Sequence, residues 1–327
     1  MKKEFIASMA VISILAGAPF ACASTIKTKA QTIKKEIKFQ NKNFKIASKE
    51  IQKGLDYTLQ AINALEKNNS KEALKNLEDA SKLFEKALKT DPKLHLVPIN
   101  EQITAYEYNG SVKDIKNSVK LAKEMLSKNN IQFAKEILAP LKDEIDITTH
   151  YLPMDLYPTA TKIAVKLLKQ GKSKKALLEL KLGLSTIVGE QVIMPIPLLN
   201  ANEMITLASN LDKKNKDNAL ILLTNAQEEL QKALLLGYTT THSDEYKILS
   251  NKISSIIKEI KGKNRVESLY KDLKKDFKSL IKKSRKDKKA IDSDSVWNNT
   301  KKEHLNALKE ENKDIKNFVE KSKTDIY

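Results

Sequence analysis

Glycine and proline are scarce: eight of each stand among 327 residues, against ordinary shares of about 7% and 5%. Folds that must turn every ~10 residues are therefore excluded as the dominant architecture. A single cysteine, Cys22, rules out an intrachain disulfide and zinc sites built on two or four cysteines. The four histidines, His95, His150, His242 and His304, stand far apart with no His-x-x-x-His or His-Glu-x-x-His spacing, which argues against a metal centre. Gly-x-Ser-x-Gly, a Walker loop and a glycine-rich dinucleotide turn are all missing. The expectation is a non-enzymatic chain without cofactor or metal.

What is present begins with an address. Lys2 and Lys3 precede an apolar run from Phe5 to Phe20, and Ala21-Cys22-Ala23 has the small-x-small form of a cleavage site. Residues 1–23 read as a signal peptide; a run broken by Gly17 and Pro19 is poorly suited to a spanning helix of about 20 residues. The preceding Pro19-Phe20-Ala21 lacks a lipoprotein pattern at Cys22. Export to the periplasm follows, with cysteine lost on cleavage. Residues 24–43 are polar and basic with scattered apolar positions, and read as a flexible leader.

From Phe44 onward apolar residues recur at helical spacing. Ala61 and Leu65 precede a polar break, Lys67-Asn68-Asn69-Ser70, and Ala73, Leu77 and Ala80 follow it. Similar offsets recur in Ala122, Leu126, Ala134, Ile137 and Pro140, in Ala164, Leu168, Ala176, Leu180 and Gly183, and in Leu207, Leu211, Ala219, Leu223 and Ala226. Each copy reads as a helix, a short Asn/Gly/Lys turn and a returning helix, with alanine where the backbones meet. Lys86-Ala87-Leu88-Lys89-Thr90-Asp91-Pro92 resembles the end of a tetratricopeptide unit, yet the leucines before the breaks are 61, 42 and 43 residues apart rather than about 34. The predicted fold is all-α, an irregular bundle of helical hairpins; a tetratricopeptide-like scaffold gripping a peptide in a concave groove is the alternative. After the leader every proline lies between Pro92 and Pro197, marking connections or helix starts.

Leu96-Val97-Pro98-Ile99, the Tyr151-Leu152-Pro153 break and the run from Ala176-Leu177-Leu178-Glu179-Leu180 through Gly189-Glu190-Gln191-Val192-Ile193-Met194-Pro195 to Ala208 resemble the YfdX family of exported bacterial proteins. The resemblance covers roughly residues 44–240, and residues 44–242 are taken as the YfdX-like helical domain. It implies an all-helical exported domain that self-associates into a homo-oligomer, serves envelope stress responses such as acid exposure, and shows chaperone-like binding of partly unfolded proteins or small amphipathic ligands.

Residues 243–327 form a basic helical extension. Ile248, Leu249, Ile253, Ile256, Ile257 and Ile260 give one amphipathic helix, and Val266, Leu269, Leu273, Phe277 and Leu280 a second. A third is expected after Asp292-Ser293-Asp294-Ser295, using Trp297, Leu305, Leu308, Ile315 and Phe318. Residues 261–289 hold 13 Lys+Arg and four Asp+Glu, a charge suited to an anionic membrane surface, to an acidic envelope protein or polymer, or to plain solvation of one helix face. Nucleic acid is not an expected partner, because only Arg265 and Arg285 are arginines, aromatics are sparse and the chain is exported. Candidate ligand-cleft residues are His95, Tyr106, His150, Tyr151 and Tyr157, the tyrosines also fitting the edge of a core. Sequons occur at Asn68, Asn109 and Asn298, and Glu66 and Glu107 give the first two the stricter acidic-x-Asn-x-Ser/Thr form of bacterial glycosylation.

Overall fold

The computed structural model describes residues 20–211, 215–239, 244–262 and 265–290. Among the described residues the chain forms α1 (Phe20–Asn43), α2 (Lys49–Glu66), α3 (Ser70–Thr90), β1 (Leu96–Tyr106), α4 (Val112–Ser127), α5 (Ile131–Leu138), β2 (Glu144–Pro153), α6 (Tyr157–Lys169), α7 (Ser173–Ser185), β3 (Val188–Pro195), α8 (Ile196–Asn210), α9 (Lys216–Leu235), α10 (Asp244–Lys261), α11 (Glu267–Ser284) and β4 (Lys288–Ala290). The fold is predominantly α, as expected. The four predicted hairpins are α2–α3, α4–α5, α6–α7 and α8–α9. No described helix is long and apolar enough to cross a membrane. The signal-peptide run up to residue 19, the third C-terminal helix, His242, His304 and Asn298 lie outside the described residues.

Three hairpin turns share one construction. The third residue after the break-preceding leucine adopts positive φ: Asn68 at 60°, Asn129 at 57° and Gly171 at 72°. Asparagine and glycine tolerate this conformation best. The next amide then donates back to the ending helix, Asn69 to Ala64 O, Asn130 to Met125 O and Lys172 to Leu167 O, at 2.8, 2.9 and 2.9 Å. Asn69 and Asn130 also cap the returning helices, accepting from the amides of Glu72 and Phe133.

Between hairpins the chain runs extended, which the composition did not disclose. The strands form a four-stranded sheet in the order β1-β2-β3-β4. In β2 the apolar Ile145 and Ile147 alternate with Glu144, Asp146 and Thr148, a period of two that marks a strand. Pro153 ends β2, Pro195 ends β3, and Pro158 and Pro197 occupy the first turns of α6 and α8, where a missing N–H costs nothing.

The chain divides into two compact units. The first comprises residues up to Lys45, Glu101–Thr149 and Gln191–Lys289; the second comprises Ile46–Asn100 and His150–Glu190. In the second unit α3 packs on α6 and α2 on α7. Its seam buries Ala61, Leu65, Ala73, Leu77, Ala164, Leu168, Ala176 and Leu180. Beside it Phe84 meets Tyr157 edge-on, centroids 5.7 Å apart at 86°, and Gly54 lies so close to Phe84 that an added Cβ would stand 2.7 Å from the ring.

In the first unit α8–α9 packs against α10–α11 around Met204, Ile205, Leu223, Leu230, Leu249, Ile253, Leu273 and Phe277. Two expectations are corrected here. The break at residue 242 is no domain boundary, because α10 and α11 complete the core that α8 and α9 begin. Residues 24–43 are no flexible leader, because they belong to α1, whose Ile33 is buried with Ile145, Met194, Ile196, Leu199 and Ile281. The stripe escaped notice because charged residues share it: Lys29 and Glu36 are buried beside Ile33.

Candidate functional site

Two ion pairs hold α1 in the first unit. Near its start, the Lys29 ammonium lies 2.6 Å from Asp143 Oδ1, with side chains 8% and 0% exposed, and donates to the carbonyl of Tyr108 at 2.8 Å. The Tyr108 amide donates to Asp143 Oδ1 at 3.2 Å, while the Asp143 amide donates to the Tyr238 hydroxyl at 2.9 Å. Burial pushes the Asp143 carboxyl up to about 6 against the opposing pull of Lys29. Burial likewise raises the Tyr238 phenol. Nearby on α9, Glu229 pairs with Lys232 at 2.9 Å and accepts from the Asn200 amide at 3.4 Å. Burial alone would lower the Lys232 ammonium, but Glu229, with Asp143 and Glu228, more than offsets it and the net shift is upward.

Farther along α1, Glu36 accepts a two-pronged grip from Arg285 of α11, Nε to Oε1 at 3.1 Å and an Nη to Oε2 at 2.5 Å. The guanidinium lies 4.3 Å over the Phe39 ring, a stacked arrangement lysine could not reproduce. These contacts form one wall of a groove of about 570 Å³ between α1, α8 and α11. Phe39, Leu199 and Ile281 give it an apolar floor, and Asn202 contributes an Oδ1 that is buried without a hydrogen-bond partner. Lys278 and Lys282 stand exposed at the rim without an ion-pair partner among the described residues. On the opposite side Lys35 is tied to Glu203 at 2.9 Å. An apolar trough with a cationic lip suits a molecule that has an apolar body and an anionic end.

The predicted cleft residues do not assemble. Tyr157 is 1% exposed, in the second unit's core, and offers a ligand nothing; its burial follows from α6 starting at Tyr157, which turns the side chain toward α3. His95, exposed, sits with Nδ1 3.1 Å from Asp155 Oδ2. His150 and Tyr151 are half-buried in β2. Tyr106 is 41% exposed in the other unit, with the Lys142 ammonium 4.8 Å over its ring. The groove was missed because α1 was read as a leader; the spacing of Thr32, Ile33, Glu36 and Ile37 was the available signal.

Part of the basic stretch 261–289 is tied into the first unit. Lys252 pairs with Asp276, Lys283 with Glu245 and Arg285 with Glu36, while Tyr270, Leu273, Phe277 and Ile281 are buried. The apolar stripe of α11 therefore faces the core of the first unit. Asn68 and Asn109 are both exposed, at the α2–α3 turn and between β1 and α4.

Comparison with known proteins places residues 55–193 in the family model described as YfdX protein. A solved structure of Salmonella Typhi YfdX is similar over 45% of this chain and 91% of its own, at 18% identity and a TM-score of 0.32. No curated protein matches the chain.

Proposed function

We propose that the protein, whose residues 55–193 match the family model described as YfdX protein, is an exported, non-enzymatic binder of small amphipathic molecules and of apolar stretches on partly unfolded proteins, serving stress tolerance in the periplasm. The observation that carries this reading is the groove between α1, α8 and α11, which joins an apolar floor to exposed lysines at one lip. An anionic amphiphile would lay its chain over Phe39, Leu199 and Ile281 and its head against Lys278 and Lys282. The apolar contact supplies affinity and the lysines orientation.

Dodecanoate, titrated by calorimetry, is the direct probe. Binding should weaken about tenfold in a Lys278→Glu/Lys282→Glu variant, since two surface attractions become repulsions, and also in Phe39→Ala. Salt should weaken it too. Equal affinity in all three proteins would remove the groove as the site. For client binding, the protein should suppress aggregation of several unrelated acid-unfolded proteins; no effect on any of them defeats that half of the reading.

A further inference from the structure

Asparagine carries a latent reaction: the backbone nitrogen of the next residue can attack its side-chain Cγ and close a ring. Two conditions decide whether it does. The next residue must be small enough for the ring to form, and its N–H must be free, because an amide held in a helix or turn cannot swing onto the side chain. Asparagines in the hairpins fail these conditions. Asn117 lies inside α4, where the following amide belongs to the helix ladder. After Asn68 and Asn129 the next amides, of Asn69 and Asn130, are bonded to Ala64 O and Met125 O. Asn69 precedes a serine, but its own side chain is engaged at both ends, Oδ1 accepting from the Glu72 amide at 3.2 Å and Nδ2 donating to Glu72 Oε2 at 2.7 Å.

Asn109 meets both conditions. It precedes Gly110 in the only Asn-Gly pair of the sequence, and it is exposed in the connection between β1 and α4. Neither its side chain nor the Gly110 amide makes a hydrogen bond among the described residues. The flanks, by contrast, are pinned. Tyr108 is held at its amide by Asp143 and at its carbonyl by Lys29, and Ser111 opens α4 with a reciprocal capping box to Asp114. The glycine itself is required by contact. The Tyr108 ring covers it so closely that a Cβ would stand 2.3 Å from the phenol oxygen, so a bulkier residue that would slow ring closure does not fit there.

We infer that Asn109 is a self-modifying site, at which the folded chain converts its own asparagine to a mixture of aspartate and isoaspartate. The reaction needs only water. Hydroxide takes the Gly110 amide proton, the nitrogen bonds to Asn109 Cγ, the Cγ–Nδ2 bond breaks, and Nδ2 leaves as ammonia with a proton from water, which restores the hydroxide. A cyclic imide remains, and water opens it. Attack at Cγ gives aspartate, while attack at the main-chain carbonyl gives isoaspartate, whose backbone runs through Cβ and Cγ. The sum is water consumed and ammonia released, with nothing oxidised or reduced. Either product places a new carboxylate on the residue joined to the Tyr108 carbonyl that Lys29 holds. Isoaspartate also lengthens the main chain between the two pinned flanks. Loss of Nδ2 ends Asn109 as a sequon, because that nitrogen is the atom to which a sugar would be joined. The inference stands apart from the groove and its ligand.

The test is peptide mapping by mass spectrometry of the purified full chain during incubation, with isoaspartate counted by its labelling with an isoaspartyl methyltransferase. The free peptide Glu-Tyr-Asn-Gly-Ser-Val serves as reference. Asn109 in the folded chain should convert within about threefold of the peptide's rate and about tenfold or more faster than Asn68, Asn69 or Asn117, the factor that a retained hydrogen bond confers. The rate should rise from about pH 7 to about pH 9, since the attacking amide must first give up its proton. Isoaspartate should appear together with aspartate. Asn109→Gln should form neither product, because the longer side chain closes a less favourable ring. Unfolding in urea should speed conversion of the hairpin asparagines and leave Asn109 nearly unchanged. An Asn109 still intact when the peptide has fully converted, hairpin asparagines that convert as fast in the folded chain, or aspartate that forms without isoaspartate each overturns the inference.

Discussion

The two units solve the same packing problem with different chemistry. The second is held by apolar contact: alanines and leucines interlock along its seam, and Phe84 and Tyr157 fill the space beside it. Its ion pairs, Lys162–Glu85, Lys169–Glu78 and Lys181–Glu66, sit at the rim with side chains 40–57% exposed, where each contributes little. The second unit buries Glu179 as well, and the first carries charge into its interior as ion pairs. Lys29–Asp143, Lys232–Glu229 and Glu36–Arg285 all have at least one member under 10% exposed, and two of the three fasten α1. Apolar hairpins can hold one another by shape, but a helix with a stripe as narrow as that of α1 is placed by its charges.

The largest effect should come from the second unit's core. Phe84→Ala removes a fully buried ring and its edge contact with Tyr157, and should cost about 3–5 kcal/mol in urea unfolding. A loss under 1 kcal/mol would show that the core collapses around the gap and that its shape is not what holds it. In the first unit, Lys29→Met should cost about 3 kcal/mol by leaving Asp143 buried without its cation. Adding Asp143→Leu should recover most of that loss. If the single variant is as stable as wild type, the contrast between the units fails.

The contrast sharpens with pH. The folded-state value of about 6 for Asp143 lies above the ~3.9 of an unfolded aspartate. Between these values the folded chain holds a proton that the unfolded chain has released. This group's contribution to stability is therefore fully present below about pH 4 and is lost as pH rises through 6. The groups facing it are Lys29, which favours the charged form, and Glu229, which disfavours it. Carbon NMR of the Asp143 carboxyl should show a midpoint near 6, and Asp143→Asn should flatten the corresponding part of the stability profile between pH 4 and 7. A midpoint near 4 would sink the assignment. The smallest effect is expected at the exposed His95–Asp155 pair: His95→Ala should change stability by no more than about 0.5 kcal/mol. A larger loss would mean the second unit also leans on polar contacts.

How far the chain could be read in advance follows the same division. The hairpins were legible because alanine at the seam and Asn or Gly at the turn are local requirements, met by Asn68, Asn129 and Gly171 through their own backbone conformation. Proline positions were legible for the same reason. The strands were not, since the alternation of Ile145 and Ile147 is short and Pro98, Pro153 and Pro195 look like breaks. Nor was the groove, because its floor draws on residues 39, 199 and 281.

The amino-acid sequence by itself determined the helical hairpins, their turns and the absence of crosslinks, because each depends on residues within about one helical turn of one another. Only the tertiary structure decided which hairpin covers which, and that Lys29 finds Asp143 and Glu36 finds Arg285. Those outcomes depend on burial shared between distant segments, and a charge becomes an anchor only after folding removes the water around it.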